Sequence, residues 1–128
     1  MKLVMRIVIG LVGLFNILIG LSFLFKPSKM AADFALSPLG VQGMATMRAD
    51  FPAFFLTGAI FSLIGAWRVE AKALLVPMML LAFALLGRFV SIALDGVVAT
   101  TVPPMVVEAV MIALLGVGYR VFGAQAKA

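Results

Sequence analysis

The sequence predicts an all-α integral membrane protein, a four-helix bundle with both termini cytoplasmic. Three observations carry this expectation. Hydrophobic residues make up 65% of the 128 residues, and the mean hydropathy is +1.25. Soluble domains are only about half apolar. The apolar residues fall into four runs, each close to the ~20 residues that cross a bilayer. The basic residues gather at the ends of those runs, where they orient a chain in a membrane. The length fits one four-span domain.

The first span is expected at 3–25, interrupted in polarity by Arg6, Asn16 and Ser22. Lys2 and Arg6 resemble the basic region of a cleaved signal peptide. The apolar stretch, however, exceeds the ~7–15 residues of such a leader. A membrane helix is therefore expected. Pro27 ends it, because the residue before a proline avoids helical torsions. Residues 26–42 form the external connector. They carry a short interfacial helix with Ser28 as N-cap and with Met30, Phe34 and Leu36 on the lipid surface. "SPLG" reads as a turn.

The second span is expected at 43–67. Its purely apolar part, Phe51 to Trp67, is short, so the helix extends back to include Arg48 and Asp50. Pro52 lies inside it, as membrane helices tolerate when neighbours satisfy the freed carbonyl. "WRVEAK" is a polar hairpin with an interfacial tryptophan. The third span is expected at 73–94 and "DGVVATTVPP" is the next connector, its prolines opening the last helix. The fourth span is expected at 104–122, with Tyr119 and Arg120 at its interface.

Orientation follows from the basic residues. Lys2, Arg6, Arg68, Lys72, Arg120 and Lys127 lie on one side; Lys26, Lys29 and Arg48 lie on the other. The richer side is cytoplasmic. The location this implies is a bacterial inner (cytoplasmic) membrane, crossed several times.

Composition also excludes functions. There is no Cys and no His, so thiolate chemistry, disulfides and the commonest metal ligands are absent. No metal and no cofactor is expected. The net charge of +5 does not point to nucleic acid, because no basic stripe with interleaved aromatics is present. No nucleophile–base pair and no phosphate-binding loop is visible; Gly10, Gly13 and Gly20 follow no strand. They mark close helix contact.

Ionisable residues within spans are the informative feature. Each costs roughly 2.5–3.5 kcal/mol at a helix centre and usually faces the bundle interior with a partner. Arg88 lies ~10 Å below the outer end of its helix, two turns from Asp95. Glu108 lies at a similar depth in the last helix. Arg48 and Asp50 enter from the same surface. They stand ~200° apart on their helix and do not pair with each other. The expected network is therefore Arg48, Asp50, Arg88, Asp95 and Glu108, with Asn16 and Thr57 as neutral hydrogen-bonding members. Arg88 is bridged to Glu108 or to Asp50. Three acids then face two arginines, leaving one carboxylate over.

Three readings of this network stay open. It is polar glue, together with small-residue spacings at Gly58, Ser62 and Ala66 and at Gly87 and Ser91. It is a pocket on the external side for a lipid-like or amphiphilic ligand, or the site of an accessory subunit in a membrane complex. It serves a small proton-coupled transporter or exporter. An intramembrane enzyme using Asp50 or Glu108 beside Arg88 is the weakest reading, because His and Cys are missing. Expected partners are membrane lipids, a lipid-like ligand, and a second copy or a larger membrane complex.

The stretches "MRADF", "LGRFVSIALDG" and "VVEAVMIALLGV" resemble a bacterial family of small four-helix inner-membrane proteins, catalogued as a domain of unknown function. The resemblance implies a shared fold and a shared polar set: Arg48, Asp50, Gly87, Arg88, Asp95, Gly96 and Glu108. It implies no established activity. In general architecture the chain is similar to DoxX-like membrane proteins.

Overall fold

The fold was analysed in a computed structural model that describes residues 1–125. Lys127, counted above among the basic residues, lies outside the described residues. Helices α1 (Lys2–Phe25), α2 (Pro27–Asp33), α3 (Gly40–Arg68), α4 (Leu75–Asp95) and α5 (Val102–Gln125) account for the architecture. A 3₁₀ turn, Ala71–Leu74, leads into α4. No strand occurs among the described residues. The four long helices are long and apolar enough to cross a membrane.

The long helices run alternately up and down. A Cβ at Gly13 would meet Leu63, and one at Gly20 would meet Leu56, which sets α1 antiparallel to α3. Gly58 of α3 faces Pro77 and Leu80 of α4, and Gly118 of α5 faces Ile9 of α1. The start of α1 and the end of α5 therefore share one end of the bundle. The α1–α3 pair is the most extensive helix contact. Its glycines let the two backbones approach closely, as small residues do in apolar surroundings.

Two apolar clusters fill the interior. At the end holding the chain termini, Ile9, Leu74, Leu115 and Phe122 are almost wholly buried together. At the other end, Phe23 packs with Ala31 and Met47. The Phe23 ring stacks on Phe51 at 4.5 Å and on Phe55 at 5.9 Å, and meets the edge of Phe34 at 5.0 Å. This aromatic group seats α2. Met30 is partly buried against it, and Phe34 is a ring neighbour of Phe23. The expectation of a lipid-surface position is corrected for Met30; Phe34 packs against the Phe23 ring and stays 36% exposed. Leu36 is open to a similar degree, at 38%.

Local signals set the helix ends. Pro27 occupies the first position of α2, so Lys26 is the N-cap and Ser28 lies inside the helix, contrary to the expected cap. Proline is preorganised for that first position and lacks the amide that a cap would satisfy. Ala35 closes α2 with φ +55°, and the Leu36 amide donates to the Ala31 carbonyl at 2.7 Å. Helix α3 starts at Gly40 and passes through Pro52 without a break. It ends at Val69 with φ +56°, and the Glu70 amide donates to the Gly65 carbonyl at 3.1 Å. The side chain of Arg6 reaches across from α1, its Nε donating to the Ala66 carbonyl at 3.0 Å and Nη2 to the Trp67 carbonyl at 3.4 Å. These carbonyls belong to the last turn of α3, which has no intrahelical donors left and carries the negative end of the helix dipole.

Candidate functional site

Arg88 and Glu108 form the one side-chain ion pair among the described residues. Arg88 lies seven residues from the end of α4, and Glu108 six from the start of α5. At 1.5 Å per residue the two depths agree at ~10 Å. The Arg88 Nε donates to both carboxylate oxygens, each at 2.9 Å. The side chain of Glu108 is only 11% exposed, that of Arg88 35%. The carboxylate is thus enclosed, and the guanidinium reaches outward from it.

That outward side opens on a cleft of about 770 Å³. Its walls are α4 (Ala84, Gly87, Arg88, Ser91), the connector before α5 (Thr100, Thr101, Pro103 and Pro104 at the helix start), and the end of α2 (Asp33, Phe34). The protein hydrogen bonds of Arg88 all leave from Nε. Both Nη atoms remain available at the cleft wall. Asp33 adds a carboxylate on the same cleft, and its side chain makes no hydrogen bond among the described residues. Glu108 therefore holds Arg88 from behind while Asp33 and Arg88 present opposite charges to the opening.

The remaining expected members go elsewhere. Asp95 accepts a hydrogen bond from the Ser91 hydroxyl at 2.8 Å, within its own helix and exposed. Arg48 donates from Nη1 to the Leu24 carbonyl at 3.3 Å, near the end of α1. Asp50 and Thr57 are exposed, and neither makes a side-chain hydrogen bond to a network member. Asn16 is buried; its Nδ2 donates to the Val12 carbonyl at 2.8 Å and contacts the Met111 sulfur at 3.6 Å. The expected five-charge convergence is therefore replaced by a two-residue pair with a cleft. Matching depths do not place side chains on the same face: Arg48 and Asp50 do not reach the pair, and Asp95 is held at the edge of the cleft by Ser91, one of its wall residues.

Asp33, Ser91 and Thr101 were not among the expected site residues. Asp33 stands in "MAADFA", where nothing in the spacing marks it; its place follows from the docking of α2 on Phe23. No group of three or more acidic side chains suited to a metal ion comes together among the described residues.

Four long apolar helices alternating in direction, with a charged pair and a polar cleft toward one end, define an all-helical protein of membrane-spanning type. Residues 4–119 match the family described as "Domain of unknown function (DUF4345)", and the chain belongs to that family. No curated protein and no solved structure matches the chain.

Proposed function

We propose that this is a multi-pass protein of a bacterial cytoplasmic membrane, both termini inside, that binds an amphiphile through the Arg88 cleft. The orientation rests on the six-to-three split of basic residues between the two ends. The observation that carries the binding reading is the Arg88 guanidinium. It is fixed through Nε to Glu108 and keeps both Nη atoms for something in a cleft of about 770 Å³. A guanidinium so held offers paired donors to a phosphate or carboxylate oxygen at little entropic cost.

Asp33 narrows the class. The charged residues lining the cleft are one of each sign, Arg88 and Asp33. A head carrying both an oxyanion and an ammonium complements Arg88 and Asp33 together. The ligand class is therefore a zwitterionic amphiphile, its apolar part lying along the exposed Phe83, Leu86 and Phe89 of α4. Pockets of this size with few convergent polar groups are the usual form of small-molecule sites.

The transport alternative, as tied to the intramembrane Glu108, needs that carboxylate free to exchange a proton with the cleft. Glu108 is not among the cleft-lining residues, and both its oxygens are engaged by Arg88. This geometry favours a positioning role. The exposed apolar face of α4 also leaves room for a second copy or a larger membrane assembly.

The test is native mass spectrometry of protein released from membranes, wild type against Arg88→Gln and Asp33→Asn. Wild type retains a zwitterionic lipid. Arg88→Gln loses it, and Asp33→Asn retains instead species lacking the ammonium group. Wild type carrying no amphiphile, or all three proteins carrying the same one, rejects the reading.

A further inference from the structure

We infer a second lipid site at the opposite end of the bundle, a groove between α1 and α3 built for an anionic phospholipid. It rests on different residues from the Arg88 cleft and stands whether or not that reading holds. The groove has a volume of about 710 Å³. Its floor exists because Gly10 has no side chain: a Cβ there would meet nothing within 4 Å. Elsewhere on the same helix, Gly13 and Gly20 are filled by Leu63 and Leu56 of α3. The walls are apolar, with Leu3 and Ile7 on one side and Leu63 and Ile64 on the other. Leu3 and Ile7 are 66% and 55% exposed, so the walls continue into the surrounding medium as an acyl chain requires.

The rim of the groove is cationic. Arg6 is fixed there by its bonds to the last carbonyls of α3 and keeps Nη1 without a hydrogen-bond partner among the described residues. Arg68 is exposed beside it and forms no side-chain hydrogen bond among the described residues. Lys2, Lys72 and Arg120 lie at the same end of the bundle, where Glu70 is the one acidic side chain among the described residues. Trp67, 81% exposed, stands on the rim between the arginines. An amphipathic ring at the level of lipid heads is a usual membrane anchor. Charge complementarity selects the occupant: an anionic phosphodiester head between Arg6 and Arg68, with one acyl chain over Gly10.

Trp67 is the single tryptophan of the chain, so the tryptophan fluorescence comes from the rim of this groove. The experiment uses the full chain in phosphatidylcholine vesicles. A minor fraction of the lipid is replaced by acyl-brominated phosphatidylglycerol or, in the other arm, by acyl-brominated phosphatidylcholine. The phosphatidylglycerol arm quenches Trp67 more strongly, with a preference of at least about fivefold, the contribution of one basic residue at an anionic surface. Arg68→Gln lowers that preference about fivefold. Gly10→Leu, whose Cβ meets nothing within 4 Å and whose side chain extends into the groove, removes the excess quenching while helicity is unchanged. Equal quenching in the two arms overturns the proposal. So does a preference that survives Gly10→Leu, which assigns the effect to surface charge without a groove. Relief of quenching by inorganic phosphate likewise contradicts a site that holds the acyl chain.

Discussion

The Arg88–Glu108 pair predicts an asymmetric double-mutant cycle. Removing Arg88 as Arg88→Met strands the Glu108 carboxylate, whose side chain is 11% exposed. Breaking a buried pair in this way costs about 3 kcal/mol, the lower end of the range for enclosed charges. Removing Glu108 as Glu108→Leu strands Arg88 instead. That side chain is 35% exposed and its stem is long enough to carry the charge to the wet cleft, so the cost falls to about 1 kcal/mol. The double variant Arg88→Met/Glu108→Leu leaves no unpaired charge and buries apolar groups of similar size, so it costs about 1 kcal/mol or less. The singles together exceed the double by about 3 kcal/mol, which is the coupling energy. Reversible unfolding in mixed micelles, followed by circular dichroism, measures all four corners. Additive singles, or Glu108→Leu costing more than Arg88→Met, would refute the assignment of Glu108 as the enclosed partner.

Three further outcomes follow from the packing. Phe23→Ala removes the ring that Phe34, Phe51 and Phe55 share; it costs about 3–5 kcal/mol and frees α2, which limited proteolysis detects as new cleavage between residues 26 and 39. Arg48→Gln and Asp50→Asn each change stability by no more than about 0.5 kcal/mol, because Arg48 makes one exposed bond and Asp50 none; thermal unfolding separates them from the Arg88 variants. Gly65→Ala drives a methyl into Leu74, a wholly buried residue, and costs about 1–3 kcal/mol, whereas Gly10→Ala, facing open space, is tolerated.

The helical architecture was legible because long apolar runs admit few solutions, and the basic residues and prolines punctuate them. The Arg88–Glu108 contact was legible for a similar reason. Charges of opposite sign at equal depth on adjacent antiparallel helices are brought within side-chain reach. The wider network was not, because depth along a helix is only one coordinate. Rotation about the axis decides which face a residue occupies, and an apolar helix with lipid on one side gives a weak pattern for reading rotation. Asp50 and Thr57 turn outward, and Asp95 bonds back to Ser91 of its own helix. The connector was the least legible part. Its hydrophobic residues fit a lipid surface as well as a protein groove, and only the aromatic group around Phe23 decides between them. Asp33 reaches the cleft through that choice.

The central claim is that Arg88, steadied by Glu108, recognises the head of an amphiphile. The most direct measurement is native mass spectrometry of the Arg88→Met/Glu108→Leu double variant beside wild type, both extracted from the same membranes and both checked for helicity. The account predicts a folded double variant that has lost the amphiphile wild type retains. A folded double variant that still carries it at wild-type occupancy would contradict the claim and leave the pair as a structural contact between α4 and α5.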